Sequence, residues 1–147
     1  MDSMARPWFS LCSRHEVPLK TIAKAYRFKL YPNKAQQQDL LRFSGSCRWL
    51  WNQLLELNIE THKATGKFVF RMDMQKLLPG MKEKTPWLAD TPAGALQRVC
   101  RNLDLALKRS FKPDAAGKYA GFPKFKKRGG ERSFYVTNQQ MRIEVCA

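Results

Sequence analysis

A chain of 147 residues, 44% hydrophobic and 12% aromatic, is long enough for one domain with a modest core. Its 27 Lys and Arg against 12 Asp and Glu leave a net charge of +15, which points to a polyanionic partner, nucleic acid ahead of an anionic membrane. No apolar run is long enough to span a bilayer, and the WFSLC segment beside Pro7 is too short for a signal peptide, so the expectation is a cytoplasmic protein with no membrane partner.

Residues 1–21 show no clear periodicity and contain Pro7 and Pro18, so they are set aside as an N-terminal extension, with Met4 as an alternative start. Order is expected from Lys24. Tyr26, Phe28 and Leu30 alternate with Arg27 and Lys29, the period-two pattern of a half-buried strand over 24–31 with a basic outer face, ended by Pro32. Asn33 followed by Gln36 makes a capping box, which starts a short helix running to about Phe43.

Ser44, Gly45 and Ser46 are expected to break that helix, so that two helices meet at a tight turn. In the second, Cys47, Leu50, Trp51, Leu54 and Asn58 recur at helical spacing, Leu57 widens the stripe, and Gly66 supplies the stop. Arg48, Trp49 and Asn52 lie off the stripe, open either to a ligand or to a packing neighbour. Asp73 is expected to cap a short helix with Met74, Leu77, Leu78 and Met81 on one face, interrupted at Pro79 and Gly80. A last helix from about Pro92 carries Leu96, Val99, Cys100, Leu103, Leu107 and Phe111 on one side, with Arg98, Arg101, Lys108 and Arg109 elsewhere.

Residues 113–132 then form a basic loop, whose stretch KYAGFPKFKKRGGER sets six cations against one carboxylate. Lys118, Lys124, Lys126, Lys127, Arg128 and Arg132 can neutralise phosphates, while Tyr119, Phe122 and Phe125 offer faces for stacking bases or for building a core. Pro123 and the pair Gly129-Gly130 keep the loop from becoming helical. A merely solvated basic loop is the alternative. Beyond it, 133–137 and 141–145 read as two short strands joined by a turn at 138–140. The fold class expected is α+β, mainly α, with a helical insert over about 34–112 bracketed by an early strand and two strands within 133–145.

No metal or cofactor is expected. Cys12, Cys47, Cys100 and Cys146 are scattered, none at the two-residue spacing of a zinc ribbon, and His15 and His62 alone could assist them. Cys47 and Cys100 fall on apolar helical faces and suit reduced core thiols. Glu56 and Glu60 lie one turn apart beside Lys63, which suits a solvated pair better than a metal site.

Eight segments in one order carry a family resemblance: KAYRFKLYPNKAQ at 24–36, SCRWLWNQLL at 46–55, TGK at 65–67, PWLAD at 86–90, ALQ at 95–97, LDLALKRSF at 103–111, GFPKFKKRG at 121–129 and SFYVTN at 133–138. Over residues 22–138 the chain resembles the N-terminal part of the TnpB/OrfB transposon-associated proteins, compact relatives of type V CRISPR effectors. That region is often described as a helix-turn-helix domain of transposases, which agrees with the helix, SGS turn and helix read above.

The resemblance implies an RNA-guided DNA endonuclease family in which a wedge-like β-barrel holds a helical recognition insert and a RuvC-like nuclease domain with a zinc ribbon follows. It also implies that the catalytic acids for two-metal phosphodiester cleavage lie downstream, so that residues 22–147 hold the N-terminal region with an incomplete barrel and no nuclease domain. The function expected is therefore binding of guide-type RNA, of DNA beside a transposon end, or of both, with no catalytic residue and no cofactor in this chain. Two alternatives stand beside it: a subunit completed by a separate nuclease chain, and an inert product cut short by a stop or frameshift. The runner-up architecture is a helical bundle with a frayed β-hairpin, because so few strands cannot close a barrel. The resemblance further implies base readout by Gln97, Thr137 and Asn138, with Arg71 near the same DNA, while phosphate contact by Lys118, Lys124, Lys126, Lys127, Arg128 and Arg132, with Phe125 among them, is expected from the charge pattern of the loop.

Overall fold

The computed structural model describes residues 29–113, 115–129 and 133–136. The chain divides into two compact units, Met1–Tyr31 and Pro32–Ala147. Of the first, residues 29–31 are described: Leu30 and Tyr31 are exposed, and the Lys29 ammonium lies 5.1 Å from the centre of the Tyr31 ring.

The second unit is built on four helices among the described residues: α1 (Lys34–Thr65), α2 (Arg71–Lys84), α3 (Pro86–Ala89) and α4 (Ala93–Phe111). The start of α1 follows the expected capping box. Asn33 Oδ1 accepts from the Gln36 N–H at 2.8 Å, and Gln36 Oε1 accepts from the Asn33 N–H at 3.0 Å, so two of the helix's orphan donors are satisfied. Gly66 ends it in the left-handed conformation, φ 69°, with its N–H on the His62 carbonyl at 2.8 Å.

Between those caps α1 is continuous, which corrects the expected turn at Ser44, Gly45 and Ser46. Glycine and serine are weak helix formers, costing up to about 1 kcal/mol each against alanine. Here burial outweighs that preference: Ser44 and Ser46 are both buried, and the Ser46 hydroxyl is absorbed by the Arg42 carbonyl one turn back at 3.0 Å. Ser44 shares the lining of a cavity with residues 133–135.

Pro79 and Gly80 likewise sit inside α2 rather than interrupting it. Proline removes one backbone donor on an exposed face, and the buried Met74 and Leu78 before it and the partly buried Met81 after it hold the helix on the core. Asp73 lies in the first turn of α2 but does not cap it; the N-cap position is Phe70.

The core sits between α1, α2 and α4. Cys47, Leu50, Trp51, Leu54 and Leu55 from α1 meet Leu96, Val99, Cys100, Leu103 and Leu107 from α4, with Met74, Leu78 and Leu88 closing the cluster. Helix α4 packs against both α1 and α2, and α3 packs against α2. Phe111, expected on the buried side of α4, is exposed at its last position.

No strand occurs among the described residues, so helices bracketed by strands of a wedge-type β-barrel are not the architecture found. Of the expected first strand, 29–31 are described and are irregular; of the late pair, 133–136 are described and are irregular, while 141–145 lies outside the described residues. The alternation that suggested a strand at 133–136 serves another purpose. Phe134 turns inward onto the core and meets Phe43 edge-on at 6.1 Å, while Tyr135 stays exposed. An irregular segment lying on helices shows the same two-sided pattern as a strand in a sheet, without ladder partners.

Candidate nucleic-acid interface

The basic loop is fastened to α1 by two adjacent side chains. The Trp51 indole Nε1–H donates to the Lys124 carbonyl at 3.1 Å. Asn52 Nδ2 donates to the Lys126 carbonyl at 3.1 Å, and Asn52 Oδ1 accepts from the Lys126 N–H at 2.8 Å. An amide side chain has one acceptor and a donor pair, so it satisfies both backbone groups of a single residue as a neighbouring strand would. The Lys126 ammonium then lies 4.4 Å from the centre of the Trp51 ring, a cation–π contact that draws the side chain back over the helix.

Lys124, Lys126, Lys127 and Arg128 are all exposed on this fastened loop, as are Tyr119, Phe122 and Phe125. Phe122 approaches Phe68, ring centres 6.3 Å apart, and Phe68 in turn stacks on His62 and tilts against Phe111. Phe122 therefore lies at the edge of the core without being buried in it. Lys118 is also exposed.

A cavity of about 470 Å³ opens beside the loop. Its lining brings Lys126 and Lys127 together with Arg48 of α1 and Arg98 of α4, over an apolar floor that includes Cys47 and Val99. Arg98 is stacked on the Tyr135 ring at 4.7 Å. Burial pushes the Cys47 thiol up from 9.0 to about 11, against the opposing pull of the Lys126 ammonium, so the floor is uncharged.

The other residues singled out in the sequence fall elsewhere. Gln97 is exposed on α4 and Arg71 is exposed at the first position of α2, and neither lines the cavity. The Arg71 backbone N–H is held by Asp104 Oδ1 at 3.3 Å, so the buried Asp104 of α4 supplies the cap that α2 lacks locally. Asp104 Oδ2 also pairs with the Lys108 ammonium at 2.8 Å. Arg132, Thr137 and Asn138 lie outside the described residues. Of the three side chains off the α1 stripe, Trp49 packs edge-on against Trp87 at 5.0 Å, whereas Asn52 and Arg48 face the loop and the cavity. Arg98 and Tyr135 carry no sequence signal that separates them from other surface residues.

Glu56 and Glu60 are exposed along a groove between α1 and α2 with Leu57, Leu77 and Met81. Among the described residues no group of three His, Cys, Asp or Glu converges as metal ligands. No helix of the described residues is long and apolar enough to cross a membrane.

Two comparisons place the chain. Residues 22–67 match the family HTH_OrfB_IS605, described as a helix-turn-helix domain. Over 113 residues the chain is 35% identical to the Escherichia coli (strain K12) protein named "Putative RNA-guided DNA endonuclease InsQ". That alignment takes in 76% of this chain and 27% of the relative, so the chain spans about a quarter of the length of the curated relative it matches. These matches support a TnpB/OrfB-type protein that carries that family's helix-turn-helix domain over residues 22–67.

Proposed function

We propose that this chain binds nucleic acid, guide-type RNA and DNA beside a transposon end, chiefly through phosphate contacts and without cleavage chemistry of its own. One observation carries the proposal: the latch from Trp51 and Asn52 to the backbone of Lys124 and Lys126. A freely moving lysine-rich loop loses side-chain and backbone entropy whenever it engages a polyanion. A latched loop has met part of that cost on folding, so its exposed cations meet phosphates at a fixed spacing. The surplus of +15 adds long-range attraction.

The relative's printed name, an RNA-guided DNA endonuclease, supports nucleic acid as the polyanion. Binding without cutting is the reading for this chain because two-metal phosphodiester cleavage needs several convergent carboxylates, and Glu56 and Glu60 stand as an exposed pair beside apolar groove residues.

Purified chain would be titrated with RNA and with duplex DNA at two salt concentrations, and the same sample assayed for cleavage in Mg²⁺. Affinity that falls steeply with salt, with no cleavage, is the expected result. Salt-insensitive or absent binding would overturn the binding role. Mg²⁺-dependent nicking that disappears on mutating Glu56 or Glu60 would overturn the absence of chemistry.

A further inference from the structure

The cavity lined by α1, α4, residues 126–127 and residues 133–135 has more volume than phosphate contact needs. Arg48, Arg98, Lys126 and Lys127 line it, no carboxylate does, and none of the four cations joins a salt bridge among the described residues. Two of them are constrained from within the protein: Arg98 is stacked on Tyr135 and Lys126 on Trp51. Below them the lining turns apolar, with Ala95, Val99, Cys47 and Phe134. A volume of about 470 Å³ falls within the range of small-ligand sites, and a cationic mouth over an apolar floor has the polarity of a nucleotide, anionic at the phosphate and flat and weakly polar at the base.

We propose that this cavity takes one unstacked nucleotide of a single-stranded nucleic acid, its phosphate among Arg48, Arg98 and Lys127 and its base against Val99 and the aromatic wall of Phe134 and Tyr135. The inference rests on the nucleic-acid function proposed above and adds to it a strand state. A paired duplex keeps its bases stacked inside and can offer this cavity phosphate alone, whereas a single strand can turn a base out to fill it. Asn102 and Ser133, also in the lining, supply neutral hydrogen-bonding groups for the base edge or the sugar.

Oligouridine, oligodeoxythymidine and a blunt duplex would each be titrated against the wild type, Ser133→Leu, Arg48→Ala and Arg109→Ala. Ser133 is exposed, so leucine there narrows the cavity mouth without removing charge or disturbing the core, which circular dichroism verifies. Single strands are expected to bind the wild type more tightly than duplex, and Ser133→Leu to weaken them about tenfold while leaving duplex affinity unchanged. Arg48→Ala should reduce single-strand binding more than duplex binding; Arg109→Ala, outside the cavity, should lower both by the same factor. A preference for oligouridine or for oligodeoxythymidine that Ser133→Leu abolishes supports the pocket, the two probes differing in the 2′-hydroxyl and the base 5-methyl group. Equal affinity for single strand and duplex, or single-strand affinity untouched by Ser133→Leu in a folded protein, would sink the pocket while leaving the binding function in place. Failure of the wild type to bind any of the three would remove both.

Discussion

Asn52 and Lys126 are joined by two antiparallel hydrogen bonds, 3.1 Å from the side-chain amide to the backbone carbonyl and 2.8 Å from the backbone N–H to the side-chain oxygen. The pair lies 74 residues apart in sequence, so it closes a long loop onto α1. Asn52→Leu keeps the side-chain bulk and removes both bonds, which should cost about 1–2 kcal/mol. Exchange of the Lys126 amide should accelerate and nucleic-acid affinity should weaken several-fold. An amide that stays as protected in the variant as in the wild type would show that the loop is held by something else.

Replacing Lys124, Lys126, Lys127 and Arg128 together by alanine should weaken RNA and DNA binding alike, because phosphate contacts carry little sequence information. The slope of log affinity against log salt should flatten by about one unit for each phosphate that is no longer neutralised. A slope that does not change would mean that these four cations are merely solvated.

The tertiary cap on α2 makes a separate stability prediction. Asp104→Leu removes the acceptor for the Arg71 N–H and leaves α2 without a capping side chain, since Phe70 offers none. A loss of about 1–2 kcal/mol is expected in urea unfolding. Asp104→Asn keeps the acceptor and should cost less, because the Lys108 partner is more than half exposed and contributes little. Equal losses in the two variants would assign the carboxylate's value to Lys108 instead.

Burial raises both core thiols, Cys47 and Cys100, from 9.0 to about 11. A thiol whose pKa is higher in the folded than in the unfolded state stabilises the fold fully below the unfolded value, and that contribution disappears as pH rises through the folded one. Stability should therefore decline between about pH 9 and 11, and the decline should be shallower in Cys47→Ala and Cys100→Ala than in the wild type. Urea midpoints across that interval measure it. Parallel curves for wild type and variants would mean that lysines, which titrate nearby, account for the whole effect.

Features set by neighbours in sequence were readable before the structure. The Asn33 and Gln36 capping box, the Gly66 stop and the apolar stripes of α1 and α4 each depend on residues within a turn or two of one another. Ser44, Gly45 and Ser46 misled because their weak helix propensity is local, whereas the burial that keeps them helical comes from elsewhere in the fold. The alternation at 133–136 misled for a related reason: Phe134 is turned inward by helices, not by a sheet. The cations of the loop were visible as charge, but their anchor was not. Asn52 stood off the apolar stripe, a signal that it faced something, while its partner lay 74 residues away.

The resemblance implies base readout by Gln97, Thr137 and Asn138, with Arg71 near the same DNA, and Gln97 and Arg71 can be weighed on geometry. Gln97 is exposed on α4 beside Arg98, whose guanidinium lines the cavity, so its amide is free of the core and adjacent to the proposed path of the nucleic acid. Arg71 is exposed at the start of α2, and its backbone is fixed on Asp104, two helical turns along α4 from Gln97. A glutamine or asparagine amide can donate to and accept from one adenine edge, and a threonine methyl can pack on a thymine methyl, each good bidentate pair discriminating by about 1–3 kcal/mol. A panel of duplexes differing only in a short A/T-containing flanking motif should therefore show a preference in the wild type of about fivefold or more. That preference should vanish in the Gln97→Ala, Asn138→Ala double mutant, while overall affinity, set by the loop cations, changes little. Arg71→Ala should instead lower affinity evenly across the panel. A flat preference in both wild type and double mutant would mean that Gln97 and Asn138 are structural and that the chain reads no bases.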